Sequence, residues 1–130
     1  MEFEPIPESD EKIASVIIDA VVAVHKALGP GLLESVYEAC LRYELVKRGL
    51  SAERQVAVPI RYDNVVFDEG LRIDLFVSDR IICEIKSVAE MHPVFQAQLL
   101  TYLKLTNRRL GFLINFNVPL IKDGIKRMVR

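Results

Sequence analysis

Two short stretches place charge where an apolar strand is expected. "LRIDLFV", Leu71 to Val77, carries Arg72 and Asp74; "IICEIKSV", Ile81 to Val88, carries Glu84 and Lys86. Burying any of these charges without a partner is costly, so something must compensate. Side chains alternate along a strand. On that rule Ile73, Leu75 and Val77 share one face, and Arg72, Asp74 and Phe76 share the other. Ile81, Cys83 and Ile85 likewise oppose Ile82, Glu84 and Lys86. The short connection "SDR", Ser78 to Arg80, makes the two strands hairpin neighbours, so Asp74 and Glu84 can lie side by side on one face. Two converging carboxylates repel, and a hard divalent cation resolves the repulsion. Mg²⁺ is typically held by one or two carboxylates together with water and phosphate oxygens. A lysine beside such a site can orient a water or stabilise charge growing on a phosphate. The plainer alternative is an ion pair joining Asp74 or Glu84 to Arg72 or Lys86.

Other candidates lie on helices. At about 100° per residue, Glu34 falls between Leu41 and Leu45 on the helical wheel, while Glu38 and Arg42 lie nearer the edge of that stripe or off it. Glu34 reads either as a third acid reaching the Asp74/Glu84 face or as an N-terminal acid that suits the macrodipole. Gln98 and Tyr102, four residues apart, share a face of a later helix with Phe95, Leu99 and Leu105. His25 sits in a last helical turn, where a cation suits the dipole. No role follows from the position of His92 in "EMHPV".

The elements that must carry these residues follow from periodicity and turn chemistry. The spacing predicts a first helix from about Asp10 to Leu28, capped by Ser9 and stopped by Gly29, with Ile13, Ile17, Val21, Val24 and Leu28 on its stripe. Its extra apolar residues call for cover on two sides or for a second subunit. After "GPG" a second helix runs from about Leu33 to Arg48. An extended stretch, Glu53 to Arg61, is broken by Pro59 and ends in the turn "YDN". Strands follow over Asp68 to Val77 and Ile81 to Lys86, then a helix over Val94 to Thr106, a strand over Arg109 to Asn115 and a helical tail over Leu120 to Val129. The fold class is α/β, a mixed sheet flanked by helices. The last strand arrives through a helix, so it is expected parallel to its neighbour.

Composition bounds the rest. The 130 residues fit one domain, with residues 1–9 as a flexible acidic arm. A formal net charge of −1 argues against a strongly basic, non-specific DNA binder. Cys40 and Cys83 have no ligand-like spacing and read as buried free thiols of a reducing, cytoplasmic setting. The apolar run Ile13 to Leu28 contains Asp19, His25 and Lys26, so it is an amphipathic helix and not a membrane span.

Four blocks in order carry a resemblance: "GLLESVY" (Gly31 to Tyr37), "LRIDLFV", "ICEIK" and "QLLTYLK", with "GFLINFNVPLIKDGIKR" closing the chain. The chain resembles the GxxExxY protein family, a branch of the PD-(D/E)XK nuclease-like superfamily, from about Ile13 to Arg127. The resemblance implies a PD-(D/E)XK restriction-endonuclease-like core of helix, three strands, helix and strand. It also implies site residues. Asp74 and Glu84 match the metal-binding acids and Lys86 the catalytic lysine. Glu34 matches the helix acid, Gln98 and Tyr102 the Gln-x-x-x-Tyr element, and Ile85 the residue whose carbonyl ligates metal. The proline of the superfamily's name is replaced by Ile73.

The resulting expectation is a nuclease dependent on Mg²⁺ or Mn²⁺ that hydrolyses phosphodiester bonds of nucleic acid, preferably DNA. The alternative is a catalytically silent module binding nucleic acid or protein on the same fold. A homodimer or protein partner is the further expectation from the apolar first helix and the minimal core.

Overall fold

The computed structural model describes residues 4–130; residues 1–3 of the expected arm lie outside the described residues. Its elements are α1 (Glu8–Leu28), α2 (Glu34–Lys47), β1 (Ala52–Tyr62), β2 (Val65–Val77), β3 (Ile81–Lys86), α3 (Pro93–Thr106), β4 (Leu110–Asn115), a 3₁₀ turn (Ile121–Gly124) and β5 (Ile125–Val129). The five strands form one sheet in the order β1-β2-β3-β4-β5. Only β3 and β4 run parallel, as the helical connection between them requires.

Helices cover both faces. Against one face, α1 and α2 bury Ile17, Val21, Tyr37, Leu41 and Leu45 on Leu75, Val77, Cys83 and Ile85. Against the other, α3 buries Leu99 and Leu103 on Ile82, Leu113 and Met128. Of the apolar residues of α1 outside its stripe, Ile18 packs half-buried on the first cluster and Val22 is exposed. Leu28 and Leu105, expected on buried stripes, are exposed. No helix among the described residues is long and apolar enough to cross a membrane.

The start of α1 differs from expectation. Pro7 is its cap and accepts from the backbone N–H groups of Asp10 and Glu11, so Ser9 lies inside the helix. The acids Glu8, Asp10 and Glu11 suit the positive end of the dipole. Buried Asp10 takes two bonds of 3.0 Å from Arg80, which ties the helix start to the β2–β3 turn. Ahead of the helix, Arg109 donates to the carbonyls of Glu4 and Pro5.

The expected C-terminal helix is instead a 3₁₀ turn followed by β5, antiparallel to β4. Every residue of β4 is buried, so an open edge there would strand its backbone groups. Strand pairing overrides the local pattern. Gly124 permits the turn, since a Cβ there would lie 2.1 Å from the Asn115 carbonyl oxygen.

The faces of β2 also differ from simple alternation. Leu75 and Val77 join the α1/α2 cluster, whereas Leu71 and Ile73 join the α3 cluster. The change occurs at Asp74. Opposite it, Gln55 takes a left-handed backbone with φ 52°, and the flanking pairs are Arg54↔Leu75 and Val56↔Ile73. Farther along, Pro59 marks a register shift, and Gly70 leaves room for Ile60 across the pair.

Candidate active site

The same position ends the pairing of β2 with β3. Their partners run from Val77↔Ile81 through Phe76↔Ile82 to Leu75↔Cys83 and stop. Beyond that pair the two carboxylates replace the backbone ladder. Oδ2 of Asp74 accepts from the Ile85 N–H at 2.9 Å, and Oε2 of Glu84 accepts from the Asp74 N–H at 2.9 Å. Both side chains therefore point into the gap between the strands. In a strand, the N–H and C=O of one residue point to the same edge. The Ile85 carbonyl accordingly faces the gap as well, while its side chain is buried in the α1/α2 cluster.

Each carboxylate keeps one oxygen out of these strand bonds. Oδ1 of Asp74 takes a long bond of 3.4 Å from the Gln55 amide. Among the described residues, no hydrogen bond reaches Oε1 of Glu84, and no buried side-chain oxygen or nitrogen lacks a partner. That oxygen therefore touches solvent although Glu84 as a whole is only 4% exposed. Burial pushes the Glu84 carboxyl up to about 8, and the Asp74 carboxylate adds to the rise; the N–H bond from Asp74 and the Lys86 charge oppose it, and Glu38 adds to it weakly.

The expected orientation of α2 is corrected. Glu34, the first residue of α2, is exposed, while Glu38 is buried. A wheel fixes relative angles, but the side facing the sheet is set by tertiary packing. Glu38 accepts from Arg54 at 2.9 and 3.0 Å and from Gln55 at 2.7 Å, both on β1. Glu34 stands one turn nearer the helix start. The loop preceding it is tied to the end of β3, because the Ser87 hydroxyl donates to the Leu32 carbonyl at 2.6 Å. Glu34 follows that loop and makes no hydrogen bond or ion pair to Asp74 or Glu84. Tyr37 fixes that loop from below. Its hydroxyl donates to the Gly29 carbonyl and accepts from the Leu32 N–H, and its ring stacks on Phe116 at 4.5 Å.

From the opposite face, α3 brings Phe95, Gln98 and Tyr102. The Lys86 ammonium lies 4.3 Å from the centre of the Phe95 ring, a cation–π contact that holds it beside the gap. Gln98 donates to the Tyr102 hydroxyl at 2.9 Å. Burial raises the Tyr102 phenol above its ordinary value; the Gln98 bond opposes the rise, and the charges of Glu84 and Asp74 add to it. Arg72 does not neutralise Asp74; it bonds Glu69 and the Gln55 carbonyl.

The donors suit a hard cation in kind: two carboxylate oxygens and one carbonyl, the oxygen set with which Mg²⁺ is satisfied when water and phosphate complete it. No group of three or more His, Cys, Asp or Glu side chains is placed to hold a metal among the described residues. Any cation here would rest on Asp74, Glu84 and backbone, with Glu34 outside that set in this conformation.

Several residues lie apart. His25 is buried, with Nε2 2.8 Å from the Val118 carbonyl oxygen, where it clamps α1 to the chain after β4. Nδ1 of His92 accepts from the Val94 N–H and caps α3. Both cysteines are free; Cys83 is buried and burial pushes its thiol up, while Cys40 is half-buried. Cys40 lines an apolar groove of ≈ 370 Å³ between α1 and α2 that contains none of the site residues.

Sequence reasoning passed over Glu38 and Gln55. Their only signal was that Glu38 shares the amphipathic helix with Glu34; the backbone of Gln55 left no trace in composition. Residues 11–128 match the family model described as PD-(D/E)XK nuclease superfamily. Neither the curated proteins nor the solved structures contain a match to the chain. The match spans nearly the whole chain and agrees with its α/β core, so the chain belongs to the PD-(D/E)XK nuclease superfamily.

Proposed function

We propose that the chain is a divalent-metal-dependent nuclease that hydrolyses phosphodiester bonds of DNA. The observation that carries this reading is the reciprocal crossing of Asp74 and Glu84 where β2 and β3 separate. It presents two carboxylate oxygens and one carbonyl to a gap bordered by Lys86. Asp74, Glu84 and the Ile85 carbonyl are the groups that would hold Mg²⁺ or Mn²⁺, with Glu34 assisting. A bound divalent cation would supply polarisation of the phosphate and neutralisation of its charge.

Lys86 leaves the Phe95 ring to orient the attacking water and to donate to a phosphate oxygen as negative charge grows there. Gln98 and Tyr102 form a hydrogen-bonded pair at the α3 side that steers Lys86 or the substrate strand. Charge distribution supports a polyanionic substrate. From His92 to Arg130 every charged residue except Asp123 is a lysine or arginine, so the segment that forms α3, β4 and β5 is positive although the chain is near neutral. The silent binding module is disfavoured, since the acids and the lysine are all in place.

The test is cleavage of a mixed DNA and RNA panel with Mg²⁺, Mn²⁺ or chelator, against Lys86→Ala and Asp74→Asn. Metal-dependent products from wild type alone support the reading. Equal backgrounds in all three proteins sink it, and cleavage confined to RNA overturns the DNA assignment.

A further inference from the structure

The left-handed backbone of Gln55 lies in the middle of a strand, at φ 52°. A residue with a Cβ is strained there and keeps that conformation only where its surroundings hold it. Burial does not hold it, because Gln55 is exposed. Polar contacts do. Its carbonyl, turned out of the ladder, accepts from Arg72 at 3.2 Å. Its side-chain amide donates to Glu38 Oε1 at 2.7 Å and to Asp74 Oδ1 at 3.4 Å. Glu38 is itself fixed, since Arg54 holds its other oxygen and the residue is buried. The chain Arg54–Glu38–Gln55–Asp74 thus links β1 and α2 to Oδ1 of Asp74, the oxygen left free by the Ile85 bond.

We propose that Gln55 is a positioning residue, whose amide, braced by Glu38, sets the orientation of the Asp74 carboxylate. The inference deepens the cation-binding reading of Asp74 and rests on it for function. An amide suits the task because it gives one N–H to each of two carboxylates that would otherwise repel. A carboxylate side chain has no proton to give at neutral pH, and a lysine would neutralise the charge of Asp74.

Gln55→Gly separates this role from a structural one. Glycine takes positive φ without strain, which offsets part of the loss of the amide bond to buried Glu38, so the metal-free variant should still fold and melt cooperatively. Asp74 Oδ2 is the acceptor for the Ile85 N–H. Loss of positioning should therefore speed exchange of the Ile85 amide about tenfold or more, while amides at the Val77↔Ile81 pair stay protected. Calorimetric affinity for Mn²⁺ should fall about 10- to 100-fold, the range for partners that orient metal ligands. Gln55→Asn tolerates the backbone but reaches one methylene less, and should behave like glycine. Unchanged Ile85 exchange in both variants overturns the proposal. If wild type releases no heat with Mn²⁺, the cation reading fails on its own, and Ile85 exchange still decides the role of Gln55.

Discussion

Without metal, the Glu84 carboxyl ionises late because burial and the Asp74 charge push it up to about 8. Below the usual glutamate value of 4.5 it is protonated in folded and unfolded chains alike. Between there and about 8 only the folded chain keeps the proton, so folding weakens with rising pH by up to about 1.4 kcal/mol per unit. Above about 8 the loss is complete. Urea melts from pH 5 to 9 in chelator should show this decline, and Glu84→Gln should flatten it. An identical decline in the variant would mean that another group is responsible. Mg²⁺ should restore stability most at the alkaline end, where the carboxylate is already ionised. For catalysis, Asp74→Asn, Glu84→Gln and Lys86→Ala should each lower cleavage by about 10²–10³-fold or more with unchanged circular dichroism. At this scale the carboxylates and the lysine were legible, since charge inside an apolar strand stands out. Glu38 and Gln55 were not. One depends on which side of α2 meets the sheet, the other on a backbone angle.

The elements show which local signals prevail. β3 was read residue for residue, because an apolar run between a tight turn and a polar stretch has few alternatives. The parallel pairing of β3 and β4 followed from the helix between them. β5 was misread because a short basic segment has no strong period, and its conformation is decided by the buried edge of β4. The Gly-x-x-Glu-x-x-Tyr stretch acquires a physical meaning. Its tyrosine fastens the loop that launches α2, the same loop that Ser87 ties to the end of β3. Tyr37→Phe keeps the stack on Phe116 but removes both hydroxyl bonds. It should cost about 1–3 kcal/mol in a denaturant melt, as expected for stranded backbone groups. It should also lower activity more than it lowers affinity for Mn²⁺, because Asp74 and Glu84 stay in place. No loss of stability would show that the hydroxyl is solvated without penalty.

Across the whole molecule, the acid-poor segment from α3 to β5 lies beside the site. Glu84, Leu113 and Lys126 occupy one cross-strand row, which puts the Cα of Lys126 about 10 Å from that of Glu84. Lys126 is exposed and has no acidic partner among the described residues, whereas Arg127 is tied to Glu11. On the nuclease reading, Lys126 contacts a neighbouring phosphate. In an Asp74→Asn background, Lys126→Ala should weaken duplex binding uniformly across sequences and reduce the salt slope by about one. An unchanged slope would place the nucleic acid elsewhere.

The crossed bonds of Asp74 and Glu84 also constrain descent. Each carboxylate is the acceptor for a main-chain N–H on the other strand, so an alanine at either position breaks a structural bond together with the chemistry. Asparagine or glutamine keeps an acceptor and discards only the charge. A lineage drifting from cleavage towards mere binding therefore has an easy exit through amides and a steep one through truncation. Relatives that have lost activity should carry Asn or Gln at these two positions more often than Ala or Gly.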